Sequence, residues 1–558
     1  MIPSQHLPSE RRSPFDDCLI PFAGQDVTWL LETRASAHSS RPWLIWRDLE
    51  GSRREWSYGD FLEDVRAVAS GLTERGVVGG SRVCMFVENC PDFLVVWFAV
   101  MRLGGVMVSI NARYRAGELA DAIARVEPTV LLTSVALMPT VVEALARLKD
   151  PYQRGSAPRD PYLLLADIAT DAAIDTGGAG AEGLSAVRAH GARGETTARA
   201  GTVRALAPAG VQFTSGTTAR PKGVVWTQAN YLWGAKVSAT HEQLDGGDRH
   251  LVHLPLFHTN AQIYSVMAAL WAGGSVVLVP RFSASRFWQV AVEERVTWCS
   301  MVPFTVKALR RQPVPAHAIR AFGNAALVPS WDRYFGVSTV AWWGMTETVT
   351  HPIVSDPSME GHPLAMGMPA CEYQVRVLDD DGVSLDRGIG SLEVRGVRGV
   401  SLALGYLDDP AATACTWAPD GWMRTGDRIE VHDDGWISFV ERQGDMLKVG
   451  GENVAAIEVE RVVAGVPGVE EVAVVAAPDP MLDEVPVAFV LVDSAVAPAE
   501  FDAIRTRIRE ACDHELSSFK VPREIYVVEE LPRVTLEKVA KAELREHVKR
   551  LRGARDGA

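Results

Sequence analysis

The 558-residue chain has no block of basic residues, no paired cysteines and no long apolar run, and each shortage removes a class of function. A formal net charge of -14, with no Lys/Arg run of useful length, argues against broad nucleic-acid binding. The seven cysteines (Cys18, Cys84, Cys90, Cys299, Cys371, Cys415 and Cys512) are scattered, with no CxxC and no histidine pair beside them. That pattern speaks against a structural zinc motif and a disulfide framework and suits a reducing compartment. No stretch of about 18 uninterrupted apolar residues occurs; residues 93–101 come nearest, so no membrane span is expected. Residues 1–17 carry no apolar signal-like core, and the expected location is the cytoplasm.

What is present is an ordinary globular composition, 47% hydrophobic and 23% charged. The length suits roughly three to four folding units. Strand-like runs at 43–46, 82–87, 106–110 and 129–133 alternate with helical patterns at 57–76, from 91, and at 119–126. The alternation resumes over 249–343. It implies an α/β fold with parallel sheets covered on both faces. Residues 149–204 lose periodicity, only 162–165 looking strand-like, and read as a long surface excursion. Over 373–393 the texture changes to short alternating strands with DDDG and GIG turns, as in a small β-barrel or sandwich. Beyond 445 a small α+β unit follows. The expected domains are 1–441 (sheet subdomains about 28–345, a β-barrel-like part about 350–441), a hinge at 442–445, and a mobile C-terminal domain at 446–558.

An acidic protein that binds an anionic nucleotide must do so with local donors, and one stretch supplies them. Residues 213–223, FTSGTTARPKG, crowd Thr214, Ser215, Thr217 and Thr218 around Gly216 and place Lys222 before a glycine. Residues 210–213 read as a strand, 224–226 as a second, and Thr227 as the cap of a helix opening at Gln228. The loop therefore joins strand to strand. A Walker A loop runs straight into a helix whose N-terminus binds phosphate, which this one does not. A polar surface turn is the alternative on composition alone.

Five motifs in order, FTSGTTARPKG, PLFHTNA (255–261), WWGMTET (342–348), GWMRTGD (421–427) and ERQGDMLKVGGENV (441–454), resemble the adenylate-forming superfamily of acyl-CoA ligases, luciferases and nonribosomal adenylation domains. GGENVAAIEVE and FKVPREIYVVEELPR look most like its carnitine/crotonobetaine-type CoA ligases, although no quaternary-ammonium cage is legible. The resemblance implies attack of a carboxylate on the α-phosphate of Mg-ATP, then displacement of AMP by a thiol, usually coenzyme A. Domain alternation would separate the two steps.

The resemblance also implies roles. Thr214, Ser215, Gly216, Thr217, Thr218 and Lys222 would hold the β- and γ-phosphates. Glu347 would hold Mg²⁺, with Thr346 at the α-phosphate. Asp427 suits the ribose hydroxyls and Arg442 ribose or phosphate, although a TGD aspartate can equally be a turn carboxylate. Trp343 stands where an aromatic stacks on adenine. His258, Trp342 and Gly344 would line the acyl pocket, His258 beside the thiol path; a lone histidine at a strand end can also be structural. Lys538 matches the catalytic lysine that bridges carboxylate and α-phosphate, with Lys541 as a rival.

Several positions depart from the pattern. Ala219 replaces a loop glycine, Gly444 a hinge Asp or Lys, and Glu537 a glycine before Lys538. Trp342 replaces a small residue, which implies a shortened pocket for a small or flat acid, unless the indole turns into the core. Three functions follow: an acid–CoA ligase; an enzyme of secondary metabolism that adenylates an unusual acid such as nitrous acid for an amine acceptor; or a degenerate nucleotide-binding module. Free CoA, a carrier protein and an amine all stay open as acceptors, and the oligomeric state is not legible.

Overall fold

Short apolar runs bounded by turns become fully buried strands in the computed structural model, which describes residues 21–149, 161–167, 180–192, 204–214, 222–442, 446–449, 452–479, 482–493, 496–516, 518–533 and 539–556. The chain divides into two units, residues 1–375 with 394–424, and residues 376–393 with 425–558.

The first unit carries two α/β sheets. In one, the strands run in the order Gly405–Tyr406, Lys222–Thr227, Pro208–Thr214, Val106–Ser109, Arg82–Phe86, Val130–Thr133, Tyr162–Leu165, Glu182–Gly183. From Pro208–Thr214 onward the pairing is parallel, and the central strands are buried along their whole length. Burial on both faces explains their unbroken apolar character. The other sheet runs Pro42–Arg47, Ser275–Leu278, Arg249–Val252, Trp298–Ser300, Ala321–Asn324, Ser338–Trp343, all parallel. Arg53–Ser57 and Ile353–Val354 extend it antiparallel at its two sides. The apolar stretch at 93–101 is the core of helix Pro91–Arg102, every residue of which is buried. Among the described residues no helix is long and apolar enough to cross a membrane.

Part of the aperiodic region is folded, which corrects its reading as a surface excursion. Strand Tyr162–Leu165 joins the sheet, and Glu182–Gly183 leads into helix Leu184–Gly191. Leu184 and Val187 are buried, and Glu182 receives a two-point contact from Arg75 (2.6 and 2.7 Å). The helix is too short and too poor in large apolar residues to show a period, and its place comes from tertiary partners.

Gly388–Arg395, Trp422–Val431 and Ile437–Arg442 are successive neighbours in one sheet. A separate five-stranded sheet is built on the long hairpin Val469–Asp479 and Asp483–Val492. Side-chain alternation divides it. Val474, Ala488 and Val490 face helices Ala456–Ala464 and Phe501–Glu515, whereas Ala473, Val475, Val487 and Phe489 face helix Lys541–Asp556. The strands Met446–Val449 and Glu452–Ala455 on one side, and Glu524–Val528 paired in parallel with Asp483–Val492, complete it.

One charged cluster pins the outer side of the parallel sheet. Glu294, buried, accepts from Arg47 (2.6 Å) and from Arg53 (2.9 Å). Burial pushes its carboxyl up, but the bonds from Arg53 and Arg47 outweigh that and hold it below the ordinary range. A depressed carboxylate stabilises the fold above its unfolded pKa and loses that contribution as pH falls through the folded value. Glu294→Ala is expected to cost about 3 kcal/mol at neutral pH by leaving Arg47 short of a partner. Denaturant midpoints should show the mutant's deficit shrinking as the buffer is acidified.

Candidate active site

The hydroxyl-rich stretch joins two antiparallel strands. Pro208–Thr214 pairs with Lys222–Thr227, and the last matched residues are Thr214 and Lys222, with the Thr214 hydroxyl donating to the Lys222 carbonyl (3.4 Å). Ser215, Gly216, Thr217, Thr218 and Ala219 lie outside the described residues. Lys222 opens a strand, and the helix begins only at Gln228, where the Thr227 hydroxyl accepts from Asn230 N (3.0 Å) and Asn230 Oδ1 accepts from Thr227 N (2.9 Å). This reciprocal cap fixes the strand-to-helix corner.

Three further segments close around Lys222. Residues 403–407 run beside the strand Lys222–Thr227: Leu404 N donates to Val225 O (2.9 Å), Leu407 N to Gly223 O (2.7 Å), and Ala403 N to Glu347 O (2.8 Å). The run delivers Tyr406, whose ring lies 4.8 Å from the Lys222 ammonium and whose hydroxyl donates to Glu347 Oε1 (2.7 Å). Glu347 and Tyr406 are each 5% exposed. The turn Thr346–Thr348 is tied to the hairpin by Trp226 Nε1, which donates to Thr346 O (2.9 Å). It is tied to the PLFHTNA segment by the Thr259 hydroxyl, which donates to Thr346 Oγ1 (3.3 Å). The turn leaves through Val349 at φ 64°, a strained value for a β-branched residue.

His258 sits at the end of strand Arg249–Val252 and its following loop, with its ring against Phe257 (4.6 Å). Asn89 clamps that loop, accepting from Leu256 N (2.7 Å) and donating to Leu254 O (2.9 Å). Buried Gln262 donates to Leu256 O and Ser109 Oγ, both at 2.7 Å. The helix that follows, Asn260–Met267, is a π-helix, a form that often marks functional sites.

Trp342 and Trp343 end strand Ser338–Trp343, where open α/β sheets bind ligands. The Trp342 indole stacks on His351 (4.4 Å, 17°) and meets Tyr264 edge-on (5.6 Å). It also covers Gly323 on the neighbouring strand, where a Cβ would overlap the ring. Gly344 is equally confined, a Cβ there coming 2.7 Å from Thr350 O and 2.9 Å from the Tyr264 hydroxyl. His351 is fully buried, and burial, then the neighbouring His241, drives its pKa well below the ordinary value, so the stacked ring is neutral.

The remaining positions belong to the second unit. Asp427 lies within strand Trp422–Val431 and in register with Arg442 on the antiparallel strand Ile437–Arg442. It is therefore a buried strand residue, and the turn reading of TGD does not hold. Its backbone N donates to the Thr425 hydroxyl (3.0 Å). Gly444, Glu537 and Lys538 lie outside the described residues. Lys541 is ion-paired with Glu460 (2.8 Å).

Residues 31–407 match the AMP-binding enzyme family, and residues 458–538 match the AMP-binding enzyme C-terminal domain. The chain belongs to the AMP-binding enzyme family. Among curated relatives, the crotonobetaine/carnitine–CoA ligase of Salmonella paratyphi C (strain RKS4594) is 29% identical over 535 residues, 94% of this chain and 99% of the relative. That of Salmonella typhi is also 29% identical, with the same coverage. In fold, the chain is similar to the anthranilate CoA ligase AuaEII in complex with anthranoyl-AMP (TM-score 0.82, 23% identity, 95% and 98% of the two chains). ATP-bound MatB from Rhodopseudomonas palustris superposes with a TM-score of 0.79 at 25% identity, over 94% and 99% of the two chains.

In this AMP-binding enzyme the acidic group beside the hairpin is Glu347, and among the described residues no three His, Cys, Asp or Glu side chains cluster as a metal site. A single buried carboxylate fits Mg²⁺, which keeps phosphate oxygens and waters as most of its ligands. Sequence reading missed Tyr406, Trp226, Asn89 and Gln262. The Gly-Tyr pair at 405–406 and the isolated polar residues in apolar runs were the only signals. Gly323→Ala is expected to push the Trp342 indole off its seat and cost about 2 kcal/mol by overpacking. A shift in tryptophan emission together with a lower denaturation midpoint would report it; unchanged emission would count against the contact.

Proposed function

We propose that this enzyme activates a small or flat carboxylic acid with ATP and transfers the acyl group to coenzyme A. One substrate carboxylate oxygen attacks the α-phosphorus and pyrophosphate leaves. The CoA thiol, losing its proton, then attacks the acyl carbon and AMP leaves with that oxygen. The observation that carries the reading is the convergence of Lys222 and Glu347, from two of the five motifs, on the buried Tyr406, with Thr346 tied to the same hairpin through Trp226.

In that reaction Lys222, with Thr214, Ser215, Gly216, Thr217 and Thr218, holds the phosphates that depart as pyrophosphate. Glu347 would hold Mg²⁺, which when bound neutralises charge on the triphosphate oxygens. Thr346 touches the α-phosphate, Trp343 stacks on adenine, and Asp427 binds the ribose hydroxyls with Arg442 beside it. Lys538 bridges the substrate carboxylate and the α-phosphate; the ion pair of Lys541 with Glu460 favours Lys538 over its rival. His258 and Gly344 flank the acyl group. The body at 1–441 and the domain at 446–558 alternate about a hinge at 442–445 between the two steps.

The small-acid reading rests on Trp342, seated on Gly323 and His351 where a smaller residue would leave room. Pyrophosphate exchange across acetate, crotonate, benzoates, cinnamates, long fatty acids and nitrite tests it. Small or flat acids should exchange best, and Trp342→Ala should extend turnover to longer acids. Best exchange with long fatty acids in the unmodified enzyme would overturn it. The amine-acceptor and non-catalytic readings draw no support from the CoA-ligase relatives, and the secondary-metabolism setting stands with the nitrite arm of that panel. We place the enzyme in the cytoplasm.

Lys538→Ala is expected to lower adenylation about 100-fold or more, as loss of a charge-stabilising donor does. Thioester formation from a supplied acyl-adenylate should fall far less. Equal loss in both half-reactions, measured by single-turnover kinetics, would remove Lys538 from the first step.

A further inference from the structure

Tyr406 joins two groups that the ligase reading uses separately. Its backbone is fixed by pairing beside Val224 and by Tyr406 N donating to the Thr413 hydroxyl (3.0 Å). Its ring packs against Trp417 (5.3 Å). Its phenol oxygen accepts from the Thr416 hydroxyl (3.5 Å) and donates to Glu347 Oε1 (2.7 Å), which sets the direction of its proton. On the face of the same ring lies the Lys222 ammonium, 4.8 Å from the centroid. A cation over an aromatic face and a hydrogen bond to a carboxylate are both strengthened by burial.

We propose that Tyr406 is a positioning residue that holds Lys222 and Glu347 in one geometry, so that phosphate binding and metal binding are set by a single side chain. The ring holds the ammonium where the departing phosphates need it. The hydroxyl engages one carboxylate oxygen of Glu347 and so fixes how the carboxylate presents itself to a cation. Tyr406 touches no reacting atom. The lysine comes from the hairpin and the glutamate from the turn after strand Ser338–Trp343, and Tyr406 contacts both.

The inference rests on the ligase reading, and its two halves separate by substitution. Tyr406→Phe keeps the ring and removes the hydroxyl; Tyr406→Leu removes both. Calorimetric titration of the full chain with ATP, in chelator and then in a Mg²⁺ series, reads binding without turnover. For Tyr406→Phe, metal-free ATP affinity should stay within about twofold of the unmodified protein, while the Mg²⁺ concentration for half-maximal ATP binding rises about tenfold, the scale of a lost hydrogen bond to a charged group. For Tyr406→Leu, metal-free affinity should also fall, by about threefold to tenfold, the scale of a buried cation–π contact. If the leucine variant does not fold, the phenylalanine variant alone carries the test. An unchanged Mg²⁺ requirement in Tyr406→Phe would overturn the proposal. So would an equal loss of metal-free affinity in both variants, the signature of packing alone. Absence of ATP binding by the unmodified protein would instead overturn the ligase reading.

Discussion

The antiparallel hairpin Pro208–Thr214 and Lys222–Thr227 is the constraint on which the site depends. One strand is paired in parallel with Val106–Ser109 and so belongs to the rigid sheet. The other carries Lys222 at its start and the capped corner at Thr227 at its end. Anything that must meet Lys222 has to be brought to this fixed edge. The 403–407 run does so by backbone bonds to Gly223 and Val225 on one side and Glu347 on the other. Trp226 does so by its indole bond to Thr346.

A second constraint acts on the acyl side. Adjacent tryptophans at a strand end must face opposite ways, and Trp342 takes the side on which Gly323 leaves the neighbouring strand bare. His351, neutral because it is buried, supplies the other stacking surface, and Tyr264 closes the edge. In the proposed reading, selection for a small acid follows from volume.

Much of this was legible in the sequence because it is local. Thr227 as a cap, the strand on either side of the hydroxyl-rich loop, and the alternation over residues 249–343 need only neighbours in the chain. Residues 162–165 were read as strand from their apolar run alone. The helix Leu184–Gly191 was not, because it is held by the packing of Leu184 and Val187 and has no period of its own. Asp427 could be read as a turn or as a site residue until the register with Arg442 placed it inside a strand. The direction of Trp342 depends on a glycine in another strand. Tyr406 was missed for the same reason: its two contacts join segments far apart in sequence, and no local pattern announces a tyrosine between a lysine and a glutamate.

The central claim is that a carboxylate is activated on the α-phosphate at this edge. Turnover of an accepted acid labelled with ¹⁸O in its carboxylate, in the presence of ATP and CoA, tests it by mass spectrometry of the products. The account predicts one labelled oxygen in AMP and none in pyrophosphate. Label in orthophosphate together with ADP, the outcome of attack on the γ-phosphate, would contradict it.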